Sequence, residues 1–328
     1  RILIDPANPD IIYAACMGIP FERNVDRGLY KSTNGGLDWT QVLFVSEQSG
    51  IIDLVMDPND SQVLYAAAWD RIRNNMESTI AGPNAKIFKT LDGGASWTML
   101  EGGLPQDSIG RIGLAISATN SQKLYALYVG LNRNLHNIYL TEDGGNNWTP
   151  IIPEDNSSGL STNALGGFGW FFGKIRVNPQ NDDDLFLLGV ELWRRRVAGG
   201  QWEIANPLWW QYEVHADKHD LVFNNGDMTL ATDGGLYQSY DDAANWIDIE
   251  RIPTTQFYRV GYNPHRTDWY YGGAQDNGTT GGPDINTDWL RIYSGDGFQT
   301  LFHPENPDYF YAEIQSGGIV VTDNAGLD

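Results

Sequence analysis

The 328-residue sequence has little with which to build a covalent framework, a nucleic-acid surface or a membrane span. Its single cysteine, Cys16, cannot form a disulfide within the chain. Its 21 Lys and Arg face 42 Asp and Glu, and the net charge of −21 argues against nucleic acid as a partner. No run of roughly 18 apolar residues is present, so the sequence predicts no membrane span.

Helical periodicity is also missing, which argues against a parallel α/β fold. What the sequence has instead is 41% hydrophobic residues and 12 tryptophans, enough to fill a core between packed sheets. The acidic balance suits a soluble extracellular protein and would attract cations. The absence of disulfides is compatible with a secreted bacterial protein.

An eight-residue turn motif is the most informative feature of the chain. It occurs as STNGGLDW, TLDGGASW, TEDGGNNW and, in a worn form, SYDDAANW. Short side-chain oxygens accept hydrogen bonds from nearby backbone N–H groups, and glycine adopts positive φ without strain. The motif therefore predicts β-hairpins locked by their own side chains, with calcium-binding or catalytic acids as the alternative. The residues predicted to form these locks are Ser32, Asn34, Trp39, Thr90, Asp92, Trp97, Thr141, Asp143, Trp148, Ser239, Asp241 and Trp246.

This turn motif resembles the Asp-box of BNR repeats. That box recurs in sialidases, in xyloglucanase-type glycoside hydrolases and in sortilin/Vps10 propellers. The resemblance implies a β-propeller, and it is specific for the hairpin rather than for one activity.

A second repeat, strand–turn–strand with Asn-Pro or Asp-Pro typical of the turn, predicts how many blades the chain contains. Seven copies are spaced by roughly 40 to 60 residues, the range of propeller blades. We therefore predict an all-β fold, a β-propeller of about seven four-stranded antiparallel blades. The predicted single domain covers 1–328, and both ends look cut from a longer chain with flanking domains. The predicted blades are roughly 1–45, 51–104, 110–152, 173–208, 219–252, 257–293 and 298–328.

Propeller geometry predicts that the long, irregular connections share one face, where binding residues concentrate on a rigid scaffold. The connections of the first two blades supply the predicted ligand-binding residues. Exposed charged loops with no ligand are the alternative. These residues are Arg23, Trp69, Asp70, Arg71 and Arg73.

Three alternating residues, His215, Asp217 and His219, would point the same way in an extended chain. Imidazole nitrogens and a carboxylate suit a single metal ion, either calcium or a transition ion. A hydrogen-bonded polar network and a proton-transfer site are the alternatives. No other cofactor is required by the sequence.

Two acidic, glycine-containing loops are predicted on neighbouring blades near the channel mouth. Asp276 and Asp296 are the candidate catalytic carboxylates, and Gln275 and Asn277 are candidate ligand-binding residues. Simple turn formation with the adjacent glycines is the alternative.

Two further segments have structural predictions. Trp170, Phe171 and Phe172 are predicted to be buried between blades, with a sugar-stacking surface as the alternative. The arginines at 194–196 are predicted to lie on a strand with alternate guanidiniums facing solvent.

The order HADKH, DGG, QDNG, GDG and HPENPD over roughly 211–326 resembles a group of large secreted bacterial proteins. They are labelled Vps10/sortilin-like or BNR-repeat glycosyl hydrolase. The resemblance implies one of two functions. The favoured one is a secreted or cell-surface module that binds a glycan, a peptide or a neighbouring protein domain. The other is a xyloglucanase-type glycoside hydrolase using Asp276 and Asp296 as paired carboxyls. In that type two tandem propellers each give one carboxylate, whereas this chain has one propeller.

Overall fold

A computed structural model describes residues 1–155, 157–211, 213–249, 255–285 and 289–326. It confirms the predicted fold class: the chain is all-β, of the β-propeller type, built from successive four-stranded antiparallel blades. The chain divides into two compact units, unit 1 (Arg1–Ile249) and unit 2 (Glu250–Asp328). The extent of the predicted single domain stays a prediction.

Unit 1 contains five blades, and the strands of each pair antiparallel in chain order. Blade one comprises β1 (Ile2–Ile4), β2 (Ile12–Cys16), β3 (Gly28–Ser32) and β4 (Thr40–Leu43). Blade two comprises β5 (Ser49–Asp57), β6 (Asp60–Asp70), β9 (Ile87–Thr90) and β10 (Thr98–Met99), with the small hairpin β7 (Ile72–Arg73) and β8 (Ser78–Thr79) inserted. Blade three comprises β11 (Ile112–Ile116), β12 (Leu124–Val129), β13 (Leu135–Thr141) and β14 (Thr149–Pro150). Blade four comprises β15 (Lys174–Asn178), β16 (Asn181–Leu188), β17 (Leu192–Arg195) and β18 (Glu203–Ile204). Blade five follows the 3₁₀ helix Trp209–Gln211 and comprises β19 (Lys218–Asn224), β20 (Asp227–Thr232), β21 (Gly235–Ser239) and β22 (Ile247–Asp248).

Unit 2 contains a four-stranded blade six and a three-stranded blade seven. Blade six comprises β23 (Arg259–Tyr262), β24 (Trp269–Ala274), β25 (Gly278–Pro283) and β26 (Leu290–Tyr293). Blade seven comprises β27 (Gly297–Phe302), β28 (Phe310–Ile314) and β29 (Gly318–Thr322), with the 3₁₀ helix Gln315–Gly317 between the last two.

The core of unit 1 lies between successive blades, because both faces of the inner strands are covered. On β6, Tyr65 and Ala67 pack against blade three, whereas Leu64 and Ala66 pack against blade one. Side chains of a strand alternate between the two faces of its sheet. Burial on both faces therefore explains why these strands read as continuous apolar runs rather than as alternating ones.

The turn motif closes each hairpin with its own side chains. In the second copy, Thr90 Oγ1 donates to Asp92 Oδ1 (2.7 Å) and accepts the N–H of Gly94 (3.0 Å). Asp92 Oδ1 also accepts the N–H of Ser96 (2.9 Å). The corresponding hydroxyls of the other copies accept the same backbone N–H at 2.9–3.0 Å: Ser32, Thr141, Ser239 and Thr322.

Hydrogen bonding keeps the motif acid ionised. Bonds from the backbone and side chain of Asn147 and from Thr141 lower the pKa of Asp143 to about 2. The worn copy forms the same turn without glycine, since Asp242 and Ala243 adopt φ of 62° and 66°. Positive φ strains residues that carry a Cβ, so this copy achieves its shape at some cost in stability.

In blades two and three the same turn also joins the blade to the preceding one. The Tyr65 hydroxyl (2.9 Å) and the Lys89 ammonium (2.6 Å), both from blade two, donate to the carbonyl of Gly144 in the blade-three turn. The Lys89 nitrogen also lies 5.3 Å from the centroid of the Tyr65 ring. Blades one and two are joined in the same way by Tyr13, Lys31 and Gly93.

Blades four and five use an arginine version of this joint. Arg194 donates to the carbonyl of Asp242 (2.7 Å) and lies 4.8 Å from the Phe186 ring centroid. It also pairs with the carboxylates of Asp184 and Asp242 at 2.7 and 2.6 Å. The predicted alternation of solvent-facing guanidiniums along 194–196 is therefore wrong, because Arg194 and Arg195 are both buried and Arg196 is exposed.

The joint between blades two and three should be measurable with Tyr65→Phe, which removes one buried hydroxyl and keeps the ring. We expect the free energy of unfolding to fall by about 1 kcal/mol, since the hydroxyl makes one buried hydrogen bond. The matched control is Tyr240→Phe, because Tyr240 is exposed and its hydroxyl donates to the side chain of Gln238. Thermal melts of the three proteins provide the measurement. Equal melting temperatures for the two variants would contradict a role for this joint.

Candidate functional site

In unit 1 the connections are distributed unequally between the two ends of the strands. The turn motifs and the short turns between first and second strands share one end, which follows from antiparallel pairing. The other end, called here the loop-rich end, carries the long connections. These are 17–27, 71–86, 100–111, 151–173 and 205–217.

Two of the predicted ligand-binding residues lie in a strand rather than in a loop. Trp69 and Asp70 form the end of β6, and both are buried. Asp70 accepts hydrogen bonds from the Ser49 hydroxyl and from the backbone N–H of Asn84 (2.9 Å). It therefore anchors the following loop, and its carboxylate is not presented to solvent.

The predicted arginines have different surroundings. Arg23 bridges the first two blades by contacts with Glu77 (3.0 Å) and Gln48 (2.8 Å). Arg73 is exposed on the small hairpin. Arg71 is buried between two tryptophans, 5.6 Å from the Trp69 ring centroid and 5.1 Å from that of Trp170. Arg71 thus ties blade two to the segment 151–173.

Arg111 joins the same cluster, although the sequence reasoning did not select it. Its guanidinium lies 5.8 Å from the Trp69 ring centroid and donates to the carbonyl of Phe171 (2.5 Å). The only sequence signal is a lone cation directly before the apolar strand β11. Burial lowers the pKa of Arg111 to about 10.

Aromatic residues of the segment 151–173 reach the surface at the loop-rich end. The rings of Trp170, Phe171 and Phe172 contact in series, with centroids 5.6 and 5.2 Å apart. Phe172 is buried as predicted, but Phe171 is 44% exposed and Trp170 is partly exposed. Burial between blades is therefore wrong for two of the three rings.

Two adjacent tryptophans, which sequence reasoning missed, stand on the 3₁₀ helix before blade five. Trp209 and Trp210 are 47% and 55% exposed, and their rings are nearly perpendicular with centroids 5.8 Å apart. A WW pair in a loop of an acidic chain is the signal that could have found them. Large aromatic rings left in solvent on an otherwise well-packed domain indicate an interaction surface.

A buried carboxylate fixes the turn that carries these tryptophans. Glu191 accepts hydrogen bonds from the Asn206 amide (2.8 Å) and from the backbone N–H of Trp209 (3.1 Å). The ammonium of Lys218 lies 3.9 Å from Glu191 and donates to the His215 carbonyl (2.8 Å). Lys218 is fully buried, and burial lowers its pKa to about 8.

The alternation predicted for the histidine segment is interrupted. Asp217 adopts φ of 64°, and β19 begins only at Lys218, so the segment is not an extended chain. His215 bonds the Ala216 carbonyl through Nδ1 (3.1 Å), whereas His219 Nε2 contacts the carboxylate of Asp233. The two imidazoles therefore have different partners, because the left-handed residue between them turns the backbone.

Unit 2 brings the two acidic loops together. The backbone N–H of Asp276 donates to Asp296 Oδ1 (2.8 Å), and the N–H of Asp296 donates to the Gln315 amide (3.1 Å). Asp276 is exposed and has φ of 56°, the left-handed conformation of a tight turn. The Asp296 carboxylate thus already accepts a hydrogen bond from the neighbouring loop.

Polar and aromatic groups surround these loops. Gln275 accepts a hydrogen bond from the Tyr258 hydroxyl, and Asn277 donates to the Gln275 carbonyl (3.0 Å). The Tyr258 ring stacks on Phe298 with centroids 5.2 Å apart. Gln275 and Asn277 therefore lie together at this end of unit 2, as their spacing predicts.

No protein-family model matches the sequence. A xyloglucanase from a Paenibacillus species is 26% identical over 171 residues, which are 45% of this chain and 15% of that protein. The crystal structure of the Niastella koreensis GH74 enzyme matches with 17% identity and a TM-score of 0.47, covering 99% of this chain and 54% of that one. The GH74 xyloglucanase from Xanthomonas campestris matches with 13% identity and a TM-score of 0.46 over the same shares. YCF48 bound to D1 peptide matches with 15% identity and a TM-score of 0.43, over 98% of this chain and 99% of that one.

The chain is therefore similar to propeller-type glycosidases, and it spans only part of their length. Among the described residues, no helix is long and apolar enough to cross a membrane.

The pH dependence of stability should report the buried ammonium of Lys218. Its folded pKa of about 8 lies below the usual unfolded value of about 10.4. The unfolded state therefore holds more protons between these values, and folding stability gains as pH rises through this window. Relative to Lys218→Met, we expect the wild type to gain up to about 3 kcal/mol between pH 8 and 10.4.

Denaturant unfolding at pH 7, 8, 9 and 10 measures this gain. Lys31→Met removes the lysine that joins blades one and two at the Gly93 carbonyl, and it gives the cost of losing a structural lysine outside this site. A difference between wild type and Lys218→Met that stays constant with pH would show that Lys218 does not titrate in this range.

Proposed function

We propose that the chain is a secreted or cell-surface propeller module that binds a polysaccharide through the loop-rich end of unit 1. The observation that carries the proposal is the pair of exposed, perpendicular rings of Trp209 and Trp210. Flat aromatic faces suit the apolar faces of sugar rings, and Trp supplies contact area at little cost in side-chain entropy. Phe171 adds a further exposed ring at the same end.

The rigid mounting of the tryptophans supports binding rather than accidental exposure. Glu191 holds the backbone of Trp209 and the amide of Asn206 from below, and Lys218 ties the same carboxylate to the following segment. Pre-organised groups lose less conformational freedom when a ligand binds. The turn is therefore built to present its rings in a fixed orientation.

The relatives and the composition of the chain also support polysaccharide binding. The sequence likeness is to a protein named for a polysaccharide, xyloglucan. The hydrogen bonds of the turn motifs support membership of the Asp-box, sortilin-like group, whose large secreted proteins carry flanking domains in the same chain. A net charge of −21 disfavours nucleic acid as a ligand.

Polysaccharide binding should depend on the two tryptophans. We expect Trp209→Ala combined with Trp210→Ala to weaken binding of a β-glucan such as xyloglucan at least about tenfold, because exposed aromatic anchors dominate such contacts. A glycan array followed by calorimetry gives the measurement. Tyr240→Ala, an exposed aromatic replacement at the opposite end of the strands, is the control. Unchanged affinity in the double variant, or capture of peptides and of no glycan, would reject the proposal.

Glycoside hydrolysis is the second candidate function, and the hydrogen bond between the loops of Asp276 and Asp296 favours it. Two nearby carboxyls are what acid and base or nucleophile roles require. Asp276 accepts a hydrogen bond from the Gln275 side chain of its own loop (3.3 Å), and Asp296 accepts the backbone N–H of Asp276, which lowers the weight of this candidate. Whether such a hydrolase retains or inverts the configuration of the sugar depends on the distance between the two carboxyl groups.

A reducing-sugar release assay separates the two functions. For a binding module we expect no release by the wild type. For a hydrolase, Asp276→Asn and Asp296→Asn should each lower release by roughly 100-fold or more, the scale of general acid–base catalysis. Asp284→Asn, an exposed acid on the other turn of blade six, is the control. Release that survives both active-site replacements would exclude these carboxyls.

The proposed binding requires no cofactor. A single calcium or transition ion held by His215, Asp217 and His219 remains a separate prediction. A rise in melting temperature on adding Ca²⁺ or Zn²⁺, lost in His215→Ala, would support it.

A further inference from the structure

Two buried arginines at the loop-rich end share one tryptophan and lack a carboxylate partner. Arg71 and Arg111 are only 7% and 8% exposed, and their guanidiniums lie 5.6 and 5.8 Å from the Trp69 ring centroid. All their hydrogen bonds go to backbone carbonyls, namely those of Ile72, Thr79 and Phe171. Within the described part of the chain, neither guanidinium forms an ion pair.

Arg27 and Arg195 are also buried without an ion pair to any residue that the structure describes, so what distinguishes Arg71 and Arg111 is the Trp69 ring that they share beside Trp170. Buried arginines are normally paired with a carboxylate, and this sequence offers 42 acidic residues for 21 basic ones. Burial lowers the pKa of both groups, and Arg73 and Arg176 add repulsion to Arg71 and Arg111 respectively. Asp53 is the acid whose charge acts on Arg111, and it does so without an ion-pair contact.

An unused donor marks the cluster as incomplete. The Nε of Arg111 is buried and has no hydrogen-bond partner among the described residues. A buried donor without an acceptor costs stability, so such a donor is expected to have a partner in the working state of the protein. A ligand oxygen would supply both the acceptor and the missing negative charge.

We propose that Arg71 and Arg111, together with Trp170, form a site for the carboxylate of an acidic sugar residue. This deepens the proposed function and rests on it, since the acidic sugar would belong to the bound polysaccharide. Guanidinium groups suit a planar carboxylate, which they bind through paired hydrogen bonds. The partly exposed rings of Trp170 and Phe171 lie beside the arginines, where a sugar ring attached to that carboxylate would stack.

The site also explains how a strongly acidic chain could bind an acidic polymer. The two guanidiniums are desolvated, and charge interactions are stronger in such surroundings than in water. Repulsion from exposed acidic groups more than about 8 Å away is largely screened at physiological ionic strength. Local positive charge can therefore prevail over the net charge of the whole chain.

Calorimetry with paired oligosaccharides tests the proposal. The probes are a xylo-oligosaccharide carrying glucuronate, the same backbone without it, and a sulfated version. We expect the wild type to bind the glucuronate probe at least tenfold more tightly than the neutral one. Arg111→Gln and Arg71→Gln should remove that preference. Arg133→Gln, at an exposed arginine in the connection between β12 and β13, should preserve it.

Arg111→Lys keeps the charge and serves if Arg111→Gln does not fold. It should retain part of the preference, because an ammonium cannot form the paired hydrogen bonds. Equal binding of glucuronate and neutral probes by the wild type would overturn this inference and leave the polysaccharide-binding proposal intact. Preference for the sulfated probe would overturn the assignment to a carboxylate. Failure to bind any of the probes or a β-glucan would overturn both proposals.

Discussion

A backbone carbonyl in the turn motifs of blades two, three and five accepts the hydrogen bonds that join each of these blades to the preceding one. The Gly144 carbonyl accepts hydrogen bonds from Tyr65 and Lys89 of the preceding blade, and the turn that presents it is closed by Thr141 and Asp143. The same turn therefore closes its own hairpin and contacts the preceding blade. Because the acceptor is a backbone group, its position depends on turn geometry rather than on a particular side chain. That is why blades four and five can replace lysine by Arg194 and keep the joint.

Because the turns at one end of the strands hold the blades together, the connections at the other end are free to vary. Register and blade spacing are fixed by the turns, so the loop-rich end can hold long connections without endangering the sheet. Two devices use that freedom. Glu191 fixes a short 3₁₀ turn and raises Trp209 into solvent, and Arg71 clamps the segment 151–173 by its contact with Trp170. In both cases a buried charged side chain connects two segments of the chain. Such contacts hold a loop without secondary structure in one conformation.

The turn motifs, which repeat along the chain, could be predicted from the sequence alone. Hydroxyl, acid and glycine at fixed spacing specify a turn through local hydrogen bonds, so Thr90 and its counterparts could be assigned without coordinates. Contacts between residues far apart in the chain could not be predicted from the sequence. The burial of Arg194 depends on Asp242 of the next blade, and the clamp of Arg71 depends on Trp170, about a hundred residues away. The alternation predicted for His215, Asp217 and His219 is wrong for a local reason, because alternation assumes an extended chain and Asp217 is left-handed.

Buried cations in this acidic chain differ in how they are compensated. Arg194 has two carboxylates within 2.7 Å, as expected of a residue that only holds blades together. Lys218 has Glu191 at 3.9 Å and two carbonyls, a looser arrangement that still neutralises its charge. Arg71 and Arg111 have carbonyls alone. Arg27 and Lys86 are likewise buried with carbonyl partners alone among the residues that the structure describes. The proposed carboxylate site therefore rests on the setting of Arg71 and Arg111, which share the Trp69 ring beside the partly exposed Trp170, rather than on the missing counter-charge alone.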